Sequence, residues 1–213
     1  FSPIKSNYFS SIGLKLFNKS RRISSYGFCL PNKGYSQLIE AISILNKRNF
    51  RIYLDIFSAI YNPKYLSIYE DLKKLTYKLS IQNRVTINPK YLSDSEVLNS
   101  LSKYDLTIFP YQNSNESSSA AVRQGLASLR PVLVTPLHIF HDIDDLVYYL
   151  KGFTPELISE SILDWYRSHE KSNDMFDKKS STINAIKSFG FDNLSERLLS
   201  IIQSLENNKV NIK

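Results

Sequence analysis

Residues 115–137 read NESSSAAVRQGLASLRPVLVTPL, and the fold is decided at the join inside this stretch, where a small-residue helix runs into the apolar strand PVLVT. Ala120, Ala121, Gly125, Leu126 and Ala127 make a helix that packs close behind its neighbours, and Pro131 opens a strand of aliphatic residues. Ahead of the helix stand Glu116, Ser117, Ser118 and Ser119, although a cap needs only one such side chain. A helix N-terminus carries unpaired N–H groups and about half a positive charge, a setting that suits phosphate. The three serines add hydroxyl donors, and Ala120 and Ala121 leave room for a ligand against the first turn. Arg123 follows Glu116 by seven residues, nearly in register on a helix; it offers a bidentate fork to phosphate or pairs with Glu116 itself. The plainer reading is a cap with more polar groups than it needs and an arginine facing solvent.

Outward from this join the same alternation repeats. Strands are expected at 22–30, 50–57, 84–88, 105–111 and 131–135, and helices at 33–49, 65–81, 93–104 and 117–128. Within the helix at 33–49, Leu38, Ile39, Ile42 and Leu45 recur at helical spacing. A short helical turn and an edge strand are expected within 142–152, then a helix over 154–169 with Thr154 as cap and Pro155 at its first position. A polar loop (170–181), one or two amphipathic helices from Thr182 to Leu205 and a frayed tail (206–213) complete the chain. Strands alternating with helices imply right-handed βαβ units and a mostly parallel sheet covered on both faces. The expected fold is α/β: a doubly wound, Rossmann-like parallel sheet with a C-terminal helical extension. The expected division is an N-terminal extension at 1–21, the sheet domain at 22–170 and C-terminal helices packed on it at 171–213.

The composition agrees with a folded domain: 42% hydrophobic and 13% aromatic residues over 213 positions, with six glycines and eight prolines. The chain opens on Phe1 and is read as a piece of a longer polypeptide. Cys29 is the sole cysteine, so no internal disulfide forms, which fits a reducing compartment. No run reaches the length of a membrane span and no secretory leader is evident, so the expected location is the cytoplasm. The net charge of +7 favours anionic partners, and basic clusters such as Lys73 to Lys78 suit peripheral contact with an anionic inner membrane face. Solvated surface lysines explain the same charge, and nucleic-acid binding, which rests on net charge alone, is not expected.

Two further loops lie where an open parallel sheet binds ligands, beyond the carboxyl ends of its strands. In YGFCLPNKG (26–34), Gly27 lets the backbone approach a ligand and Lys33 stands at a helix start. A lysine there opposes the helix dipole unless it bridges to an anion; the alternative is an exposed turn closed by Gly34. In TPLHIFHDID (135–144), His138 with His141 and Asp142 with Asp144 have the spacing of weak metal signals, and acidic residues opening a helix are ordinary dipole partners; no metal site is expected. Neither a G-x-G-x-x-G fingerprint nor a Walker loop is present.

Taken together, GFCLPNKG and ESSSAAVRQGLASLRPVLVT resemble the nucleotide-sugar-binding lobe of family-4, GT-B-type retaining glycosyltransferases. That family carries a G-R-x4-K-G loop and an E-x7-E motif leading into a proline-started strand, and the likeness extends over roughly residues 22 to 165. It implies that Lys33 holds the donor diphosphate, with Gly27 and Gly34 shaping the loop. It implies further that Glu116 binds the donor sugar, the amides at Ser117, Ser118 and Ser119 receive phosphate, position 124 binds ribose, and the turn from Asn88 to Leu92 lies near the base. Lys33 and Glu116 would be the catalytic pair. Two positions depart from the pattern: Phe28 replaces the loop arginine and Gln124 the second glutamate. A neutral hydrogen bond in place of a charged one costs around 1 kcal/mol, and Arg123 is the candidate to restore the missing charge.

The function these residues imply is transfer of a sugar from a nucleoside-diphosphate sugar to a glycan or lipid-linked acceptor, with retention and without metal or other cofactor. The acceptor site would come from an N-terminal Rossmann lobe of the same full-length protein, so this piece alone is expected to transfer little. The alternative is a catalytically silent lobe of the same fold that binds a glycan or a protein.

Overall fold

The computed structural model describes residues 21–169, 178–188, 195, 196 and 198–204. Of the expected N-terminal extension only Arg21 is described, and it opens the first strand; most of the expected loop at 170–181 and the whole tail at 206–213 lie outside the described residues.

Six strands form one sheet: β1 (Arg21–Phe28), β2 (Ile52–Ala59), β3 (Val85–Asn88), β4 (Leu106–Phe109), β5 (Val132–Val134) and β6 (Tyr148–Tyr149). Their order is β3-β2-β1-β4-β5-β6, and every neighbouring pair is parallel. The chain therefore winds outward from β1 through β2 to β3, returns to the centre, and winds the other way from β4 to β6. This is the doubly wound α/β fold, and its switch point lies between β1 and β4. All four residues of β4 and all three of β5 are buried, as strands covered on both faces must be. Two buried serines in β1 are accommodated at the switch point because both find partners on β4. Ser24 Oγ lies 2.9 Å from Thr107 Oγ1, and Ser25 Oγ donates to the Ile108 carbonyl at 2.6 Å.

The helices are α1 (Tyr35–Lys47), α2 (Leu66–Lys78), α3 (Asp94–Leu101), α4 (Ala120–Ala127), α5 (Pro155–His169) and α6 (Lys179–Ser188). A 3-10 turn at Pro63–Tyr65 precedes α2, and a kinked 3-10 segment at His138–Leu146 precedes β6. One core lies between the sheet and α1, α2 and α5, and a second between the sheet, α4 and the His138–Leu146 segment. Leu38, Ile39, Ile42 and Leu45, the periodic residues of α1, are fully buried; each such burial contributes about 1.5–3 kcal/mol. The small-residue face of α4 has a specific purpose. A Cβ at Gly125 would lie 2.7 Å from Phe109 Cε2, so glycine lets α4 lie directly on β4. Beyond the sheet, Thr154 Oγ1 accepts from the Leu157 amide at 3.4 Å, as a cap of α5 should. Lys178, just before α6, donates to the Val147 carbonyl at 2.7 Å.

Several element bounds differ from those expected. The first helix starts at Tyr35 rather than 33, because Gly34 adopts a left-handed conformation (φ 71°) that no helix can contain. It stops at Lys47, and Asn49 (φ 60°) turns the chain into β2. The fourth helix starts at Ala120, with Ser119 as its cap in extended conformation, so Glu116 and Ser117 belong to the preceding loop. Glu116 and Arg123 therefore do not share a helix face. The last helical region opens at Lys179, earlier than Thr182; residues 195, 196 and 198–204 are also helical. Among the described residues no helix is long and apolar enough to cross a membrane.

Candidate functional site

At the switch point, beyond the carboxyl ends of β1 and β4, a cleft of about 390 Å³ opens. It is shaped first by two glycines. Gly27, at the end of β1, has φ 145°, and a Cβ there would come within 3.2 Å of the Tyr35 hydroxyl and 3.7 Å of Ala121 Cβ. A side chain at this position would thus crowd the gap between β1 and the first turn of α4. Gly34 is still more constrained, since its Cβ would fall 1.8 Å from the Pro110 carbonyl oxygen. The loop after β1 is thereby pressed against the loop after β4, and the Gln112 amide donates to the Asn32 carbonyl at 2.8 Å to fasten them.

Tyr111 joins these loops to α4. It is almost fully buried, its ring packs edge-on against Phe109 and tilted against Phe140, and its carbonyl accepts from Thr135 Oγ1 at 2.6 Å. The Tyr111 hydroxyl lies 3.1 Å from Ser119 Oγ, which also accepts from the Val122 amide at 3.4 Å. Lys33 Nζ lies 3.8 Å from the centroid of the same ring. One buried aromatic thus holds the lysine on one side and orients the helix cap on the other. With Ser119 serving Val122, the amides of Ala120 and Ala121 are left as first-turn donors without a carbonyl of their own helix.

Glu116, Ser118, Ser119 and Gln124 line the cleft together with Gly27 and Lys33. Glu116 is exposed in the loop, its amide donating to Ser114 Oγ at 3.2 Å. Gln124 Nε2 donates to Asp94 Oδ1, at the start of α3, at 2.6 Å. Ser117 and Arg123 are not among the lining residues; Arg123 pairs through its guanidinium with Asp142, both side chains nearly half exposed. Across the cleft, the turn after β3 contributes Lys90, Tyr91 and Leu92, and the Lys90 amide donates to Asn88 Oδ1 at 3.0 Å. Phe28 is 42% exposed, with its ring 5.0 Å from that of Tyr61. Among the described residues Lys33, Lys90 and Glu116 form no ion pair. The cleft therefore offers cations and bare amides for an anion, and carboxylates for hydroxyl donors.

The Tyr26 hydroxyl, on the inner wall, has its pKa raised by burial and, to a lesser degree, by the nearby Tyr91, Asp94 and Tyr111. The rings of His138 and His141 lie tilted against each other, with centroids 4.6 Å apart. Among the described residues no three His, Cys, Asp or Glu side chains gather as a metal site would require. Tyr111, Tyr26 and Asp94 carry little signal of a site in the sequence. Tyr111 carried one signal, an aromatic immediately beyond the switch-point strand. Asp94 reads as an ordinary acidic residue in a helix's first turn, and only the approach of α3 to α4 brings it to the cleft.

No protein-family model matches the chain, and no curated protein matches it. Solved structures do share its fold. A glycosyltransferase from Rickettsia africae superposes with a TM-score of 0.74 at 17% identity, over 98% of this chain and 53% of that one. Sucrose-phosphate synthase from Thermosynechococcus elongatus gives 0.70 at 12% identity, over 94% of this chain and 49% of that one. Anabaena HepE, in complex with UDP and glucose, gives 0.67 at 13% identity, over 96% and 53%. The chain spans about half the length of each, and its fold is that of a single Rossmann-like lobe of these GT-B glycosyltransferases.

Proposed function

We propose that this chain is the donor-binding lobe of a glycosyltransferase that moves a sugar from a nucleoside diphosphate to a glycan or lipid-linked acceptor. The observation that carries this reading is the meeting, in one switch-point cleft, of Lys33, the free first-turn amides of α4 and Glu116. A diphosphate is matched by a cation and unpaired N–H groups at a helix N-terminus. A sugar is matched by a carboxylate that accepts from its hydroxyls.

In this reading Lys33 and the amides at Ser118, Ser119 and the start of α4 bear the charge that develops on the departing diphosphate, so transfer needs no metal; retention at the anomeric carbon is what the family resemblance implies. Glu116 orients the donor sugar, with Ser117 beside it in the loop, and Gln124 contributes to the ribose end. Arg123 takes the part of the loop arginine that Phe28 replaces. Arg123 lies outside the cleft lining and faces Asp142; that exposed ion pair is worth little, so turning the guanidinium toward a phosphate would give up little. The acceptor and the remaining catalytic groups come from a second, N-terminal Rossmann lobe, consistent with a chain half the length of its structural neighbours.

The test is calorimetric titration of the chain with UDP, GDP and their sugars. At least one is expected to bind, and Lys33→Ala is expected to weaken that binding about tenfold or more. A second reading, a silent lobe that binds a glycan or a protein, draws on Phe28, exposed in the cleft lining where an arginine would serve a diphosphate, with exposed Tyr61 against its ring. Absence of heat with every nucleotide would sink the first reading in favour of the second.

A further inference from the structure

Gln124 lies where the resemblance placed a ribose-binding glutamate, and the structure shows what it bonds to instead. Its Nε2 donates to Asp94 Oδ1 at 2.6 Å, joining the second turn of α4 to the first residue of α3. The orientation of the amide is chemically determined, because a carboxylate only accepts and the NH2 end must face it. Both side chains line the cleft. Asp94 is exposed, and among the described residues it forms no ion pair. A carboxylate accepts about four hydrogen bonds, and Gln124 supplies one of them. Tyr26 and Tyr91 line the same cleft.

We propose that Asp94, held in place by Gln124, is the specificity residue that accepts hydrogen bonds from the vicinal ribose hydroxyls of the bound nucleotide. This rests on the donor-lobe reading and adds to it: the carboxylate missing at position 124 is supplied from the neighbouring helix, and Gln124 is a positioning residue. Two adjacent hydroxyls are paired donors, the complement of a carboxylate with open lone pairs. Asp94 and Tyr26 line one cleft, close enough for the carboxylate to help raise the Tyr26 hydroxyl pKa after burial and Tyr91. If the Asp94–Gln124 bond were only a brace between α3 and α4, its loss would change stability and leave discrimination among nucleotides untouched.

The experiment compares, by calorimetry, the affinity of the ribonucleoside diphosphate that binds best (UDP or GDP) with that of its 2′-deoxy counterpart, for the chain and for two variants. The unaltered chain is expected to prefer the ribonucleotide about tenfold. Asp94→Asn should lose about tenfold toward the ribonucleotide, keep its affinity for the deoxynucleotide, and so erase the preference. Gln124→Glu should weaken ribonucleotide binding several-fold, because it removes the donor and sets a second carboxylate against the first. Thermal melting of each variant controls for folding. A preference that survives Asp94→Asn overturns the proposal, as does tighter ribonucleotide binding by Gln124→Glu, which would mean that position 124 meets the ribose itself. A chain that binds ribo- and deoxynucleotides equally also overturns it while leaving the donor-lobe reading intact. A chain that binds no nucleotide overturns both.

Discussion

The two ends of the sheet treat their charges in opposite ways. At the amino ends of the strands, polar groups are spent on one another. Arg22 donates to Asp55 at 2.8 Å, Tyr104 donates to the same carboxylate at 2.7 Å, and Asp105 accepts from the Arg22 amide at 3.0 Å and from Tyr166 at 3.1 Å. The Tyr104 hydroxyl has its pKa raised first by burial and then by its bond to Asp55, as expected of a donor closed into a network. At the carboxyl ends, Lys33, Lys90 and Glu116 line an open cleft and, among the described residues, form no ion pair, and the first-turn amides of α4 have no carbonyl of their own helix. Groups satisfied within the fold stabilise it, while groups left open are available to a ligand. Substitutions at the two ends should therefore separate stability from binding.

The largest effect is expected at the hinge between the open loops. Gly34→Ala forces a Cβ into the Pro110 carbonyl at a left-handed position, and a loss of more than about 3 kcal/mol, read by urea denaturation, should follow. Asp55→Ala should cost about 1–3 kcal/mol, chiefly by leaving the buried Tyr104 hydroxyl without its acceptor while the exposed Arg22 returns to water, with nucleotide affinity unchanged. Lys33→Ala should show the reverse pattern. It loses one cation–aromatic contact, worth about 0.5–1 kcal/mol, but weakens diphosphate binding about tenfold or more. Arg123→Ala should cost under about 1 kcal/mol in stability, since its partner is exposed, while donor affinity falls several-fold; unchanged affinity removes Arg123 from the site.

The smallest effect concerns acid. The Glu96 carboxylate accepts from the Ser93 amide at 2.8 Å and hydroxyl at 2.7 Å, and these bonds lower its pKa. A lowered folded pKa contributes stability above the unfolded value of about 4.3, and that contribution disappears as pH falls through the folded one. The stability difference between the wild-type chain and Glu96→Gln should therefore be constant above about pH 5 and shrink below it. A difference that widens in acid would contradict the assignment.

The fold was legible because its signals are local and repeated. Each strand was marked by apolar residues and each helix by periodicity, and the alternation of the two leaves few topologies. Element ends were less legible, since they are set by tertiary approach: Gly34 ends the loop where it meets Pro110, and α4 begins only where Ser119 meets Tyr111 and Val122. The positions of the site followed the same rule. Lys33, Glu116 and Gln124 stand in short motifs, and the fold brings them to one cleft. Tyr111 and Asp94 touch partners that are distant in sequence or on another helix, Lys33 for the first and Gln124 for the second. The direction of Arg123 was hidden for the same reason, because Asp142 lies in a different segment.

The central claim is that the carboxyl-end cleft is a diphosphate site. It is tested most directly by a crystal structure of the chain with the nucleoside diphosphate that binds best. The diphosphate is expected between Lys33 Nζ and the amides of Ala120 and Ala121, with Glu116 facing the position of the donor sugar. A nucleotide bound elsewhere on the chain, or in the cleft with its phosphates turned away from Lys33 and α4, would contradict the account.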